Sequence, residues 1–375
     1  MSPKVNHFRA LLVILGGGVA CGGPAEQTVA VEPWSIEDYV PTPEDGIRVL
    51  VLHDMEGLSG QSDPRTFNFG RPQYSRGQEM LAADINAVVD GLFAGGATEV
   101  HVVDGHGSGN PNPDVRRDLL DERAQQVLRD EAFDTYFDVP ETSTYDAVAV
   151  VGMHAKTGSG GFASHTYTLG IEFRINGQAI TETELVALSW GRFGVPVIFG
   201  SGDDRLAADL ETMPWIQFVT VKQATAADSA TTRPVEEARA DLRAGAQRAV
   251  EQLASARVMR VTTPISATMR AVPPADLSIL EGVPGIEYAS NAVRFQAEDL
   301  RAAYDGLTAL VGVATRAYPS VLFEQLRAHA SGTEISARYR DALAQRWFDV
   351  ESGRWTAPSP AAPTSSTSGQ FHGYR

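Results

Sequence analysis

The sequence predicts an α/β protein, a mainly parallel Rossmann-like sheet with helices on both faces, plus a smaller α+β unit. Short apolar runs of strand type recur through the first part of the chain, at Arg48–His53, Glu99–Asp104, Asp146–Gly152 and Val195–Gly200. Helical stretches lie between them, and strands alternating with helices argue for parallel pairing. After about Val261 the order becomes strand, short helix, strand, helix, which suits a separate α+β unit.

The chain has 375 residues, 43% hydrophobic and 21% charged, which excludes a fully disordered protein and allows two or three domains. Lys+Arg is 31 against Asp+Glu 47, a net charge of −16. That balance repels phosphate backbones, so nucleic acid is not an expected partner. A single cysteine excludes an intrachain disulfide, a four-cysteine zinc site and an iron–sulfur cluster. No uninterrupted apolar run reaches the roughly 20 residues of a membrane-spanning helix.

Residues 1–20 read as a secretory leader: Lys4 and Arg9 precede an apolar stretch that ends at Val19-Ala20. Cys21 follows, with Gly22 and Gly23 after it, and the junction resembles a bacterial lipoprotein cleavage site, although Gly18 departs from its usual Leu. The expectation is export to the bacterial cell envelope with a lipid anchor on Cys21 as the only membrane contact. The alternative is an ordinary signal peptide with an incidental Cys. Removing the leader's two cations takes the net charge from −16 to −18. Residues 21–45, rich in Pro, Glu, Thr and Val, read as a flexible tether.

Residues 46–260 are assigned to the α/β domain. Ser75–Gly91 is helical, with Leu81, Ile85, Val88 and Leu92 on one face. Ser75 and Gln78 suit a capping box, and Gly95-Gly96 stops the helix. Further helices are expected at Thr181–Phe193, Asp204–Glu211 and Pro234–Ser255. Residues 261–318 form the smaller unit, with strands near Ile265–Val272 and Ala289–Phe295 and a helix over Glu298–Arg316. Residues 319–350 read as a helical extension. Residues 351–375, rich in Pro, Ser, Thr and Ala, read as a disordered tail.

Loops at the carboxyl ends of parallel strands are free to carry function. Three of these ends carry metal-capable residues: His53-Asp54-Met55-Glu56-Gly57, Asp104-Gly105-His106-Gly107 and Gly152-Met153-His154. In an extended segment Asp54 and Glu56 point the same way. Each acid alone is as well explained as a helix cap or solvated turn; three such ends in succession favour a metal site. Ser164-His165-Thr166 follows the Gly-rich stretch 158–161, read as a flexible loop that brings a catalytic His over the metals. Glu182 and Glu184 open a helix, where a carboxylate also serves as a dipole partner. His53 and His101 read as supporting or packing groups.

Together, Asp54-Met-Glu-Gly57, Asp104-Gly-His106, Gly152-Met-His154, Ser164-His165, Gly202-Asp-Asp-Arg205, Val221-Lys-Gln223 and Val293-Arg-Phe-Gln-Ala297 resemble the zinc-dependent D-aminopeptidases of the dipeptide-transport (DppA) type. The likeness runs from about Arg48 to Arg316. It implies two zinc ions per chain held by Asp54, Glu56, His106, His154 and Glu182. Asp54 is the bridge, Glu56 and His154 complete one ion, and His106 and Glu182 complete the other. Glu184 replaces Glu182 if the helix register slips by two. His165 becomes the catalytic histidine, as proton carrier or as oxyanion stabiliser. Asp203 or Asp204 is a candidate for the substrate's amino terminus, although a turn and helix start explain both. The implied function is a metallo-aminopeptidase for short peptides with an N-terminal D-residue such as D-Ala, with cell-wall fragments as the source. The implied assembly is a homo-oligomer, a decamer in the family. The competing readings are a non-catalytic envelope lipoprotein that captures peptide or metal, and another metal-dependent amide hydrolase on the same scaffold.

Overall fold

The four apolar runs read as strands form the middle of one sheet. The computed structural model describes residues 32–41, 46–129 and 133–355. The leader 1–20, Cys21 and the tail beyond 355 lie outside the described residues.

In chain order the strands begin with β1 (Trp34–Asp38), β2 (Arg48–His53), β3 (Glu99–Asp104), β4 (Ala124–Gln126) and β5 (Ala147–Val151). They continue with β6 (Ile171–Ile175), β7 (Gln178–Ala179), β8 (Val197–Asp203), β9 (Gln217–Ala226) and β10 (Ser229–Thr232). The last four are β11 (Arg257–Val261), β12 (Ile265–Ala271), β13 (Glu287–Ala289) and β14 (Ala292–Ala297). The helices are α1 (Tyr74–Ala94), α2 (Asp138–Thr142), α3 (Glu182–Gly191), α4 (Asp204–Asp209), α5 (Val235–Glu251), α6 (Leu300–Ala314), α7 (Pro319–Ala328) and α8 (Gly332–Glu351).

The large sheet has the order β10-β9-β8-β5-β2-β3-β4, and every pair in it is parallel except β9–β10. Strand β2 lies between β3 and β5, with His53 opposite Asp104 of β3 and Val151 of β5. Its side chains alternate with a period of two. Val49 and Val51 enter a core with Leu81, Ile85 and Val88 of α1 and Leu242 of α5. Leu50 and Leu52 enter a second core with Phe137, Trp190 and Phe173. A strand covered on both faces reads as an unbroken apolar run, which is why β2 and β5 stand out in the sequence.

The second sheet, β13-β14-β12-β6-β7, is antiparallel. This corrects the expected boundary between 260 and 261, because β6 and β7 come from residues 171–179. Phe173 and Ile175 share one apolar core with Ile265, Met269 and Leu307, so the smaller unit has no separate interior.

Two local expectations also change. Trp34–Asp38, assigned to the tether, is a strand paired antiparallel with β11, Trp34 facing Val261. Only Trp34 of the five is buried, so the sequence carried no alternation to reveal it. The Ser75–Gln78 capping box does not form: α1 starts at Tyr74 without a side-chain cap, and Gln78 Nε2 instead donates to the Asp114 carbonyl at 2.8 Å.

Among the described residues the helical stretch Leu300–Ala328 is apolar and long enough to cross a membrane by length and composition. Arg301, Asp305 and Arg316 interrupt its apolar run, and Leu300, Ala303, Leu307 and Val311 are buried in the core. Its last part, α7, packs on α8, and the two helices expose Leu322, Phe323, Tyr339, Leu343 and Trp347.

Candidate metal centre

Because β3, β2 and β5 are neighbours in that order, the loops after them bring His106, Asp54 and His154 to one edge of the sheet. The Asp54 N–H donates to the Val151 carbonyl at 2.8 Å, and the Gly57 N–H donates to the Gly152 carbonyl at 2.7 Å. A Cβ on Gly57 would stand 2.0 Å from the Met153 carbonyl oxygen, so this close approach requires glycine. The segment is a turn, where the sequence suggested an extended pair. The Met55 N–H donates to both Asp54 Oδ1 (2.8 Å) and Glu56 Oε2 (3.2 Å), which draws the two carboxylates together.

The turn is held from behind by Lys222 of β9. Its Nζ donates to the Glu56 carbonyl and to Gln61 Oε1 (2.8 Å), and lies 4.0 Å from the Phe162 ring centroid. Lys222 is fully buried, and that burial lowers its ammonium to about 7. Val221-Lys-Gln223 is part of the resemblance, yet no sequence spacing ties Lys222 to Glu56.

All five expected ligands are buried and come together. Asp54, Glu56 and His106 form one group whose ligand atoms lie within 4.8 Å of one another, and Asp54, His154 and Glu182 form a second. His106 Nε2 is 3.3 Å from Glu56 Oε1, and His154 Nε2 is 3.3 Å from Asp54 Oδ2 and 3.6 Å from Glu182 Oε1. The groups sharing Asp54 therefore pair Glu56 with His106 and His154 with Glu182, which differs from the split expected from the resemblance. The reason is positional: Glu56 reaches across to the β3 side, while Glu182 approaches from α3 on the β5 side. Glu56 also lies near His154 and His165, so the two groups are contiguous.

Each histidine is aimed by its other nitrogen, the usual arrangement for a metal-binding imidazole. His106 Nδ1 meets Asp114 Oδ2 at 2.6 Å, and Asp114 also accepts from Ser108 Oγ (2.6 Å) and the Tyr74 hydroxyl. His154 Nδ1 meets the Ala155 carbonyl at 3.0 Å, which leaves Nε2 unprotonated in the neutral ring. Asp114, in a Pro-Asn-Pro-Asp loop, was missed, since no spacing links it to His106. Asp104 is not in either metal-capable group; its Oδ1 accepts the His106 N–H at 2.9 Å and its other oxygen accepts the Asp114 N–H.

The α3 start separates the two glutamates. Thr181 and Glu184 form a capping box, with Glu184 N–H to Thr181 Oγ1 at 3.0 Å and Thr181 N–H to Glu184 Oε2 at 2.7 Å. Thr212 Oγ1 donates to the other Glu184 oxygen at 2.7 Å. Glu182 instead accepts from the Tyr136 hydroxyl at 2.5 Å and from the Tyr167 N–H at 2.6 Å. Tyr167 has φ 74°, a left-handed conformation that is strained for a tyrosine and turns its N–H onto the carboxylate.

His165 stacks on His154, with ring centroids 3.9 Å apart and 17° between planes. Its Nδ1 meets the Ala163 carbonyl at 2.6 Å, and its Nε2 is 3.9 Å from Glu182 Oε1. Burial, then the neighbouring His154, lowers its imidazole. The Gly-rich loop before it is pinned: Ser159 Oγ donates to Asp209 at 2.6 Å and the Phe162 N–H to Asp203 at 2.8 Å. Asp203 also caps α4 through the Arg205 and Leu206 N–H groups, and Asp204 accepts the Ala224 N–H at 2.7 Å. Both therefore have structural partners. His53 is buried with neither ring nitrogen hydrogen-bonded, and burial lowers it to about 3. His101 pairs with the Tyr145 hydroxyl at 2.7 Å on β3.

The residues fit a metal. His154 Nε2 is buried without a hydrogen-bond partner, and its lone pair in the neutral ring faces two carboxylates. Burying carboxylates side by side is costly unless positive charge offsets them. Burial, reinforced by Glu56, raises Asp54 to about 8. Burial would lower His154, but Glu182 and Asp54 outweigh it and raise the ring to about 10. A site that draws protons this strongly draws divalent cations for the same reason, and its imidazole and carboxylate donors suit zinc. Beside it opens a cleft of about 910 Å³, lined by Asp54, Glu56, His106, His165 and Glu182 on one side and by α6 and Tyr318 on another.

The sequence model of the Peptidase M55 family, described as D-aminopeptidase, matches residues 47–309. A curated relative, the D-aminopeptidase of Bacillus subtilis (strain 168), is 28% identical over 286 residues, covering 72% of this chain and 98% of the relative. Among solved structures, the "Zn-dependent D-aminopeptidase DppA from Bacillus subtilis, a self-compartmentalizing protease" is similar in fold with a TM-score of 0.65 at 24% identity. That match covers 72% of this chain and 98% of that chain. Neither a non-catalytic binder nor a different amide hydrolase is favoured by these findings.

The α3 geometry generates a test of the fifth ligand. Glu182→Gln is expected to lose at least half of the bound metal, read by elemental analysis of purified protein. Glu184→Gln is expected to keep its metal and lower thermal stability, because it weakens a buried cap worth about 1 kcal/mol. The reverse pattern would exchange the two roles.

Proposed function

We propose that this chain, which belongs to the Peptidase M55 family of D-aminopeptidases, is a dinuclear zinc aminopeptidase. In this reading it releases an N-terminal D-residue such as D-Ala from short peptides. The observation that carries the reading is the pair of buried donor groups sharing Asp54 beside a peptide-sized cleft. Asp54, Glu56 and His106 would hold one ion, and Asp54, His154 and Glu182 the other. When bound, two zinc ions supply Lewis acidity that polarises a carbonyl and brings the pKa of water toward neutrality.

The chain's own residues do the rest. Asp114 and the Ala155 carbonyl fix the tautomers of His106 and His154, so each presents Nε2 toward the carboxylates. Tyr136 and the Tyr167 N–H hold Glu182. His165 donates through Nδ1 to the Ala163 carbonyl, so its neutral ring offers a lone pair at Nε2. That tautomer supports the proton-carrier role over the oxyanion role, which needs an N–H at that atom. Nε2 takes the proton from the attacking water and gives it to the leaving amine nitrogen as the C–N bond breaks.

The test is release of D-alanine from D-Ala-D-Ala by the purified chain. A chelator is expected to abolish release and added zinc to restore it. His165→Ala is expected to keep its metal yet lose about 10²-fold or more in kcat. Chelator-resistant activity, or near-normal turnover in the metal-replete variant, would overturn the assignment.

We further propose an exported, envelope-located protein, lipid-anchored at Cys21, acting on peptides derived from the cell wall. Two features of the sequence support this. Cys21 is the sole cysteine, and an unpaired Cys in a secreted protein calls for an explanation such as acylation. The body, at −18 without the leader, is repelled by anionic lipid surfaces, so attachment rests on the anchor. Homo-oligomer assembly is part of the same proposal, supported by the relative described as self-compartmentalizing. The wild-type chain is expected to fractionate with membranes and Cys21→Ser with the soluble or precursor pool. A soluble mature wild type with no lipid on Cys21, read by mass spectrometry, would establish the ordinary secreted form.

A further inference from the structure

The wall of the cleft formed by α6 contains a glycine that the fold does not need. Thr308, Val311, Gly312 and Thr315 line the cleft, and their spacing of three, four and seven puts them on one helical face. Glycine is disfavoured within helices. Gly306 of the same helix has a packing reason, since a Cβ there would stand 2.5 Å from the Phe295 ring. Gly312 has none: a Cβ there meets nothing within 4 Å, and that open space is the cleft.

The neighbouring groups are uncharged and already occupied. Thr308 Oγ1 donates back to the Tyr304 carbonyl at 3.0 Å, and Thr315 Oγ1 to the Val311 carbonyl at 2.9 Å. The Tyr318 hydroxyl donates to the Leu169 carbonyl at 2.6 Å and ties α6's end to the loop that follows His165. The wall therefore presents methyl groups, open space and one aromatic ring. At about 910 Å³ the cleft is near the top of the roughly 300–1,000 Å³ range of small-molecule sites, more than a dipeptide fills. Val311, Gly312, Thr315 and Tyr318 also lie past residue 309, where the family match ends.

We propose that this face of α6 is the specificity-determining surface for residues beyond the scissile bond. Gly312 keeps room there for peptides extended by uncharged residues on the leaving side. The inference rests on the aminopeptidase reading and names its substrate class: oligopeptides longer than two residues.

The test compares kcat/KM for D-Ala-D-Ala and for the tetrapeptide D-Ala-Ala-Ala-Ala in the zinc-replete full chain. Wild type, Gly312→Ala and Gly312→Leu are measured, with zinc content determined in each. The ratio of tetrapeptide to dipeptide kcat/KM is expected to fall about 10-fold or more in Gly312→Leu, in the range that a filled apolar pocket discriminates. Gly312→Ala is expected to lie between, and it carries the comparison if the Leu variant does not fold. An equal loss on both peptides, or no loss, overturns the inference and leaves the aminopeptidase reading intact. A wild type that cleaves neither peptide overturns both.

Discussion

Three carboxylates, Asp54, Glu56 and Glu182, are buried at one edge of the parallel sheet, and the imidazoles of His106, His154 and His165 face them. Negative charge held this densely away from water is stable only if a cation joins it or protons neutralise it. The surrounding structure is arranged around that constraint. The Met55 N–H draws Asp54 and Glu56 together, Lys222 clamps the turn beneath them, and Asp114 stands behind His106. Glycine at 57 lets the loop press onto the end of β5. Loosening any of these moves a donor by a fraction of an ångström, which a metal site registers as lost affinity.

The order of the strands turns this local chemistry into one site. Three loops separated by about fifty residues each meet because β3, β2 and β5 are adjacent. Connecting loops and α6 then close a cleft over them, and His165 and Glu182 enter from the two segments that cross between the sheets. The shared core, in which Phe173 packs with Ile265 and Trp190, makes this arrangement a single folding unit and not a catalytic domain with an appendage.

What the sequence disclosed follows from the same physics. Strands β2 and β3 were legible to the residue, because a strand buried on both faces is an apolar run between polar ends, unbroken in β2 and interrupted only by His101 in β3. Strands β6, β9 and β10 mix polar with apolar residues and were not seen. The tether hid β1, whose single buried side chain leaves no period. Glu184 was recognisable as a cap from Thr181-x-x-Glu184, a signature that would have fixed the Glu182 register at once. The five donor residues were legible as a set through strand-end position and resemblance, but their partition was not. Which carboxylate meets which imidazole depends on the direction each loop leaves the sheet, and no spacing encodes that. Tyr136 and Lys222 act on the ligands from distant segments, and Asp114, eight residues past His106, acts through a loop whose fold no spacing encodes.

The central claim is that the buried carboxylates exist to hold two metal ions that share Asp54. X-ray diffraction at the zinc absorption edge, on crystals of protein purified without chelator, tests it directly. The account predicts two anomalous peaks about 3.5–4 Å apart on either side of the Asp54 carboxylate. One should be bounded by Glu56 and His106, the other by His154 and Glu182. A single peak, no peak, or two peaks with Glu56 and His154 on the same ion would contradict it.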